Sequence, residues 1–260
     1  MSVSPPKRWL SFVQKHATIE EDIYVAGARI LSIGGAEQSH VNLRHPEEVF
    51  YEYLARIANQ IRVLRGQRSG LKFLHLGAGA LTLARWASVS LSDSTHVVVD
   101  IERELVDFVM RYMPLPAGAA VHSITADARE VLHEQLASEK FDVIIVDIFS
   151  GPEAPEHLTV REYYRELGQS LTPDGLLFVN IGDDPPLHFT DRQVAAARSI
   201  FDFVMLSSTP DMFTRRYPGN LVLMGTNTRP APELIELCEQ SGPFPSEIRH
   251  SVSLDRFGKP

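Results

Sequence analysis

Residues 72–86, KFLHLGAGALTLARW, contain the signals that decide the fold. The apolar run over residues 72–76 is typical of a buried strand. Gly77 and Gly79 then allow a tight turn and a close approach of the backbone to a ligand. The amphipathic segment from Leu81 onward predicts a helix whose first turn presents free amide groups. A strand, a glycine turn and a helix in this order suit a nucleotide-binding site, but they are also compatible with a simple tight turn.

Strand and helix patterns continue to alternate after this segment. Further apolar runs lie at 95–101, 121–126, 141–148, 175–182, 202–208 and 220–226, and amphipathic segments separate most of them. This alternation predicts parallel strands with right-handed crossovers, in a sheet covered on both faces. The last two runs leave no room for a helix between them, so this pair should be antiparallel. We therefore predict an α/β protein of the Rossmann-like class I methyltransferase fold, with a seven-stranded, mostly parallel sheet whose last strand is antiparallel.

The chain before residue 71 has a different pattern. Short alternating segments around Gly34 and Gly35 predict a β-hairpin, and residues 46–64 predict an amphipathic helix that Pro46 would begin. We expect an N-terminal extension with a small β-hairpin over residues 1–45. A Rossmann-like catalytic domain with a lead-in helix would follow over residues 46–260. Residues 1–20 and the last dozen residues are expected to be peripheral.

Composition narrows the class of protein. The formal net charge of −8 disfavours non-specific nucleic-acid binding and favours a cationic ligand. The single cysteine, Cys238, excludes internal disulfides and multi-cysteine zinc sites, and its spacing on a terminal helix predicts a core position. The sequence contains neither a membrane-length apolar run nor the apolar region of a signal peptide near residue 1. We expect a cytoplasmic protein that binds no nucleic acid, no membrane and no metal.

Carboxylates follow three of the predicted strands. Asp100 lies about 20 residues after Gly79, where nucleotide-binding Rossmann units place the acid that binds the ribose hydroxyls. Asp127 follows the next strand, although either aspartate would also suit a helix cap. Strands that end in Gly, Asp and Asp are typical of adenosyl-binding folds. Asp147 ends the run over 141–148, with no Lys or Arg among residues 148–159. A buried carboxylate is costly unless paired, so Asp147 suggests a group that binds or deprotonates an ammonium ion.

Seven segments together resemble the motifs of the spermidine synthases, which are polyamine aminopropyltransferases, and of their bacterial relatives. In chain order these segments are IGGAEQSHVNL, FYEYLARI, LHLGAGA, VVVDIE, ADAREVL, DVIIVDIFSGP and YPGNLVLMGT, and they span about residues 25–226. In that family an aminopropyl group passes from decarboxylated S-adenosylmethionine to putrescine, and methylthioadenosine is released. The resemblance implies a homodimeric transferase with a small-molecule amine as substrate, decarboxylated S-adenosylmethionine as co-substrate and no tightly bound cofactor.

The resemblance also assigns roles on the donor side of the site. The residues that would bind the donor are Gln38, Gly77, Gly79, Asp100 and Asp127. Asp100 would bind the ribose and Asp127 the adenine amino group. Asp147 would be the catalytic base that receives the proton of the attacking amine.

The acceptor side departs from the family pattern. Ala80 stands where the family's glycine-rich loop has an aspartate, and Ser150 replaces the second acid of an Asp-x-x-Asp segment. Phe50, ahead of Glu52, takes the place of a tyrosine, whereas Tyr217 would still help to hold the amine. The identity of the acceptor therefore stays open. The alternatives are a methyltransferase that uses S-adenosylmethionine on an unknown acceptor, and a non-catalytic nucleoside-binding or scaffold protein of the same fold.

Overall fold

The N-terminal part of the protein forms a four-stranded antiparallel sheet. The computed structural model describes residues 4–148 and 154–257. The strands, in spatial order, are β1 (Lys7–Leu10), β2 (Lys15–Glu21), β3 (Ala28–Ile33) and β4 (Ala36–Asn42). The predicted hairpin at Gly34 and Gly35 joins β3 to β4. The expectation that residues 1–20 are peripheral is wrong for β1 and β2, because Leu10, Ala17 and Ile19 are buried.

The first helix, α1 (Glu52–Arg65), begins later than the position predicted from Pro46. Val49 instead pairs with Val41 of β4 in an antiparallel bridge. Tyr51 keeps an extended backbone, with φ −73° and ψ 131°. The chain is therefore extended at Val49 and Tyr51, and the helix begins only at Glu52.

An eight-stranded sheet forms the centre of the structure. Its strands are β5 (Lys72–Leu76), β6 (Thr95–Asp100), β7 (Ala120–Thr125), β8 (Phe141–Val146), β9 (Leu171–Asp183), β10 (Phe203–Ser208), β11 (Gly219–Thr226) and β12 (Glu247–His250), in the order β12-β10-β11-β9-β8-β5-β6-β7. Strands β5 to β9 pair in parallel, and β11 runs antiparallel to both β9 and β10, as predicted. The Rossmann-like methyltransferase fold is thereby confirmed. Strand β12 adds an antiparallel edge to the seven predicted strands, and buried Leu254 and Phe257 show that the last residues described are not peripheral.

Helices cover both faces of the large sheet. They are α2 (Thr82–Ser90), α3 (Arg103–Tyr112), α4 (Glu130–His133), α5 (Arg161–Ser170), α6 (His188–Arg198) and α7 (Pro232–Gln240). Helices α1, α2 and α7 pack on one face, and α4, α5 and α6 on the other. Cys238 of α7 is buried, as predicted, and burial raises the pKa of its thiol to about 12.

The small sheet packs against the edge of the large one. Leu31 and Val41 share a hydrophobic cluster with Ala80, Leu81 and Val109, so the small sheet covers the glycine turn and α3. The two tryptophans lie in different environments. Trp86 on α2 is fully buried under the guanidinium of Arg62, whereas Trp9 on β1 is 49% exposed.

Gly77 allows the turn after β5 to pass the end of β8. Its φ is +97°, and a Cβ atom added there would lie 2.4 Å from the carbonyl oxygen of Asp147. The strand order reverses between β5 and β8, which is where ligands of open α/β sheets bind. A glycine is therefore needed at the edge where a ligand would approach.

Candidate active site

A cavity of about 1100 Å³ opens at the carboxyl ends of β5, β6 and β8. The small sheet supplies part of its wall through β4, and other parts come from the start of α1, the glycine turn, the segment after β7 and the connection before β11. Small-molecule sites usually occupy about 300–1000 Å³. The cavity is therefore large enough for a nucleoside together with a second small molecule.

Asp147 lines this cavity and lies directly after β8. Its Oδ2 accepts a hydrogen bond from the Tyr53 hydroxyl at 3.1 Å, and its Oδ1 accepts one from Nδ2 of Asn180 at 2.8 Å. Burial raises the pKa of the Asp147 carboxyl, and the two hydrogen bonds oppose that rise. These bonds fix the orientation of the carboxylate and leave lone pairs on both oxygens for a ligand.

Asp100 lies at the end of β6 and holds the glycine turn. Its Oδ2 accepts the amide N–H of Ala78 at 2.8 Å, and its Oδ1 accepts that of Glu102 at 2.7 Å. Burial raises the pKa of the carboxyl, and these two amides counteract the rise. Each oxygen retains acceptor capacity toward the cavity, which suits a vicinal diol.

Asp127 lies at the cavity wall beyond β7. Its Oδ1 accepts the amide N–H groups of Arg129 and Glu130, so the helix-cap alternative is realised in part. Its Oδ2 accepts a hydrogen bond of 2.9 Å from the ring of His157. Partial burial acts to raise its pKa, but the Arg129 amide and His157 outweigh it and hold the pKa below the usual range.

Two further side chains keep the glycine turn in place. The Ser39 hydroxyl accepts the amide N–H of Ala80 at 3.0 Å. Arg85 is buried and donates to the carbonyl oxygens of Ala80, Met113 and Pro114, and burial lowers its pKa to about 10. The turn is thus fixed by β4 on one side and by α2 on the other.

Two tyrosines form the aromatic wall of the cavity. Tyr51 and Tyr53 line the cavity with nearly parallel rings whose centroids are 6.3 Å apart. Phe50 is not among the lining residues: it is 62% exposed and packs on the His40 ring. The role of Phe50 in substrate binding stays a prediction.

The remaining predicted residues fall into three groups. Gln38 and Glu52 line the cavity, and Glu52 forms an ion pair of 2.6 Å with Arg56. Tyr217 is 54% exposed and does not line the cavity, although Pro218 and Asn220 do. Ser150 lies outside the described residues.

Several residues of the site escaped the sequence analysis. Asn180 interrupts the apolar run of β9, and a polar residue at that place was the available signal. Tyr53 is the second residue of α1, and its sequence position carried no signal that its hydroxyl would reach Asp147. Glu37 and Ser39 carried no signal, because their roles depend on the small sheet packing against the glycine turn.

The described residues contain neither a candidate metal site nor a candidate membrane-spanning helix. Across residues 4–148 and 154–257, no group of three or more His, Cys, Asp or Glu side chains is placed to hold a metal ion. None of the described helices is both long enough and apolar enough to span a membrane.

The fold and the strand-end site define a protein of the Rossmann-like methyltransferase fold with a carboxylate-lined cavity at its ligand-binding edge. The family model for the spermine/spermidine synthase domain matches residues 19–224. The chain belongs to this family.

Individual relatives agree with the family assignment. The polyamine aminopropyltransferase of Neisseria meningitidis serogroup A is 25% identical over 202 residues, which cover 76% of this chain and 72% of the relative. The Vibrio vulnificus enzyme of the same name is 28% identical, covering 69% of this chain and 59% of the relative. The crystal structure of a probable spermidine synthase from Corynebacterium glutamicum superposes with a TM-score of 0.88 at 26% identity, covering 99% of this chain and 95% of that chain.

Proposed function

We propose that the protein transfers an aminopropyl group from decarboxylated S-adenosylmethionine to a diamine or polyamine. The neutral amine nitrogen of the acceptor attacks the carbon next to the sulfonium. The carbon–sulfur bond breaks, and its electron pair remains on sulfur to give neutral methylthioadenosine. Asp147 takes the proton that the amine loses.

The setting of Asp147 is the observation that carries this proposal. The carboxyl is desolvated at the cavity, and Tyr53 and Asn180 hold its two oxygens. A raised pKa brings a carboxylate closer to the working pH of a general base. A fixed carboxylate beside the donor site also aligns the amine for in-line attack.

The charges of the cavity favour the decarboxylated donor. Among the described lining residues the acids are Glu37, Glu52, Asp100, Glu102, Asp127 and Asp147. The cationic candidates are Arg56, which binds Glu52, Ser246 and Pro245, and His157, which binds Asp127. A donor that carries a carboxylate would therefore meet acids without a free arginine or lysine among the described lining residues. A donor with only an ammonium group at that end would be attracted.

The test measures methylthioadenosine release and polyamine formation with decarboxylated S-adenosylmethionine and a panel of amines. We expect release that depends on the amine, and we expect methylthioadenosine to bind more tightly than S-adenosylmethionine in calorimetry. Asp147→Asn should lower kcat by about 10²–10⁴-fold, the usual contribution of a general base, while methylthioadenosine affinity stays within a few-fold. Asp202→Asn, at an exposed position before β10, is the matched control.

Each alternative has its own signature in this test. Full activity of Asp147→Asn would remove that residue from the mechanism. Preferential binding of S-adenosylmethionine, together with methyl transfer, would assign the site to the methyltransferase alternative. Failure of all three nucleosides to bind would favour the scaffold alternative.

We also propose a cytoplasmic homodimer, as the family resemblance implies. Light scattering coupled to size-exclusion chromatography should give twice the mass of one 29.1 kDa chain. A monomeric mass at micromolar concentration would contradict this part of the proposal.

A further inference from the structure

His157 contacts the carboxylate of Asp127 at the wall of the large cavity. It lies in a short 3₁₀-helix, Glu156–Leu158, between β8 and α5, and both His157 and Asp127 line the cavity. Nε2 of His157 is 2.9 Å from Oδ2 of Asp127. An ionised carboxylate only accepts hydrogen bonds, so this ring nitrogen is the donor. His157 therefore joins the segment before α5 to the turn after β7.

The backbone of His157 is attached to the same turn. The guanidinium of Arg129 donates to the carbonyl oxygen of His157 at 3.0 Å. Arg129 is itself held by both carboxylate oxygens of Glu166 on α5, at 2.6 and 2.7 Å, and its amide N–H binds Oδ1 of Asp127. Since the ring and the backbone of His157 both have partners in this turn, the fold fixes the position of the ring relative to Asp127.

These contacts use most of the hydrogen-bonding capacity of Asp127. Each oxygen of a carboxylate accepts about two hydrogen bonds. Oδ1 accepts the amide N–H groups of Arg129 and Glu130, and Oδ2 accepts the ring of His157. One acceptor position is left, and it is on the oxygen that His157 holds. A carboxylate in this state binds one N–H group of a ligand and disfavours a carbonyl oxygen in the same place.

The surroundings of this acceptor suit a planar base. The chain neighbours of the two residues also line the cavity and offer apolar surface, namely Ala126, Ala128, Pro155 and Leu158. A purine has apolar faces and carries its polar groups at the edge, which is the division that small-molecule sites with apolar walls and a few placed polar groups recognise. The wall therefore combines apolar surface with one oriented, charged acceptor.

We propose that His157 positions Asp127 so that the nucleoside pocket accepts a 6-amino purine and rejects a 6-oxo purine. His157 is a positioning residue, because it acts on the base through the carboxylate of Asp127. This inference rests on the proposed function, since it names the residue that sets the selectivity on the donor side of the same site. The role of His157 follows from the hydrogen bonds of this chain, which hold Oδ2 of Asp127 in one orientation.

The experiment compares the binding of methylthioadenosine and methylthioinosine by calorimetry. The two nucleosides share the ribose and the methylthio group, and inosine carries a carbonyl oxygen where adenosine carries the amino group. A charge-assisted hydrogen bond predicts that the wild-type protein binds methylthioadenosine about 10–100-fold more tightly than methylthioinosine. His157→Ala should lower this ratio by about 5–10-fold, mainly by weakening methylthioadenosine, because Oδ2 of Asp127 then loses the donor that orients it.

His157→Gln is the conservative variant, because its side-chain amide can replace the ring Nε2 as a donor to Asp127. It should keep a ratio near that of the wild-type protein. His188→Ala is the matched control, because it removes a histidine that is 76% exposed at the start of α6, and it should leave both affinities unchanged. The His157 side chain is 47% exposed, so its variants should fold, and a thermal melt of each verifies this.

The outcomes separate this inference from the proposed function. A wild-type ratio near one, or failure of both nucleosides to bind, would overturn the selectivity. A ratio unchanged in His157→Ala, including equal losses for both nucleosides, would overturn the positioning role, and so would a His157→Gln ratio as low as that of His157→Ala. Failure of aminopropyl transfer would instead appear as absent methylthioadenosine release with every amine, while the wild-type binding ratio is retained.

Discussion

The proposed role of Asp147 as a base comes with a penalty for the stability of the free protein. Its pKa is raised in the folded state, so ionisation favours the unfolded chain. The stability that the protonated carboxyl contributes is present below the unfolded pKa and is lost as pH rises through the folded pKa. At neutral pH the ionised group therefore opposes folding.

Asp147→Asn should for this reason stabilise the free protein at neutral pH. We expect Tm at pH 7.5 to rise by roughly 2–4 °C, which corresponds to about 1 kcal/mol in a chain of this size. The gain should shrink as pH falls through the raised pKa of the wild-type carboxyl, and we compare pH 7.5 with pH 4. Thermal melts at both pH values measure it, and a lower Tm at pH 7.5 would contradict the expectation.

Tyr53→Phe should change the pH dependence of the reaction. The substitution removes the hydrogen bond that stabilises the charged form of Asp147, and burial remains. The pKa of Asp147 rises further, so the acidic limb of kcat/KM should move to higher pH. A pH–rate profile measures this shift, and Tyr24→Phe, at a position that is 89% exposed, is the control. If the acidic limb does not move, Tyr53 does not influence the pKa of the base.

The sequence placed some site residues better than others. Asp100, Asp127 and Asp147 could be located because the carboxyl ends of parallel strands meet at one edge of a sheet. The placement of Tyr51 rather than Phe50 at the cavity could not be predicted, because one residue of register in an extended chain reverses the side that a side chain faces. The roles of all these residues in binding and catalysis stay predictions.

At the scale of elements, the turn between β5 and α2 depends on Gly77. Gly77→Ala would place a Cβ atom 2.4 Å from the carbonyl oxygen of Asp147 and would also strain a φ of +97°. Gly70→Ala is the matched control, because Gly70 has φ +69° and no atom within 4 Å of an added Cβ. We expect the control to show backbone strain alone, about 1 kcal/mol of the free energy of unfolding.

Gly77→Ala should cost more than this control. The contact with the Asp147 backbone must be relieved by movement of a strand end, so we expect a loss of about 2–4 kcal/mol and weaker nucleoside binding. Urea denaturation and calorimetry measure the two effects. Equal losses in the two variants would mean that the contact is relieved without disturbing the site.

The strength of the hydrophobic pattern decided which elements could be predicted. Most of the seven predicted strands have long apolar runs, and all seven are present in the sheet. Strands β1 and β12 have four residues each, with charged residues in both, so their sequences carry almost no strand signal. They are stabilised by pairing with β2 and β10, which is tertiary information.

At the scale of the whole molecule, a buried histidine pair links protein stability to pH. Nε2 of His75 on β5 lies 3.1 Å from Nδ1 of His96 on β6. Burial lowers the pKa of His96 to about 4 and that of His75 well below its usual value. The unfolded chain binds more protons than the folded one between about pH 6.5 and 4, so stability should fall as pH falls through this window.

His96→Gln should reduce this pH dependence. Each histidine can contribute up to about 1.4 kcal/mol per pH unit, so removing one should flatten the curve by a measurable part of that slope. Urea denaturation from pH 7 to 4.5 tests it, with His122→Gln as the control at an exposed position on β7. A curve as steep as that of the wild-type protein would show that other groups dominate.

The separation of the two tryptophans gives the protein two intrinsic fluorophores. Trp86 should emit at short wavelength and resist iodide quenching, whereas half-exposed Trp9 should emit further to the red and be quenched. Spectral decomposition during denaturation would then follow each sheet separately without any label. Two midpoints would mark residues 1–45 as an independent cooperative unit. One shared midpoint would mean that the small sheet and the large sheet melt together.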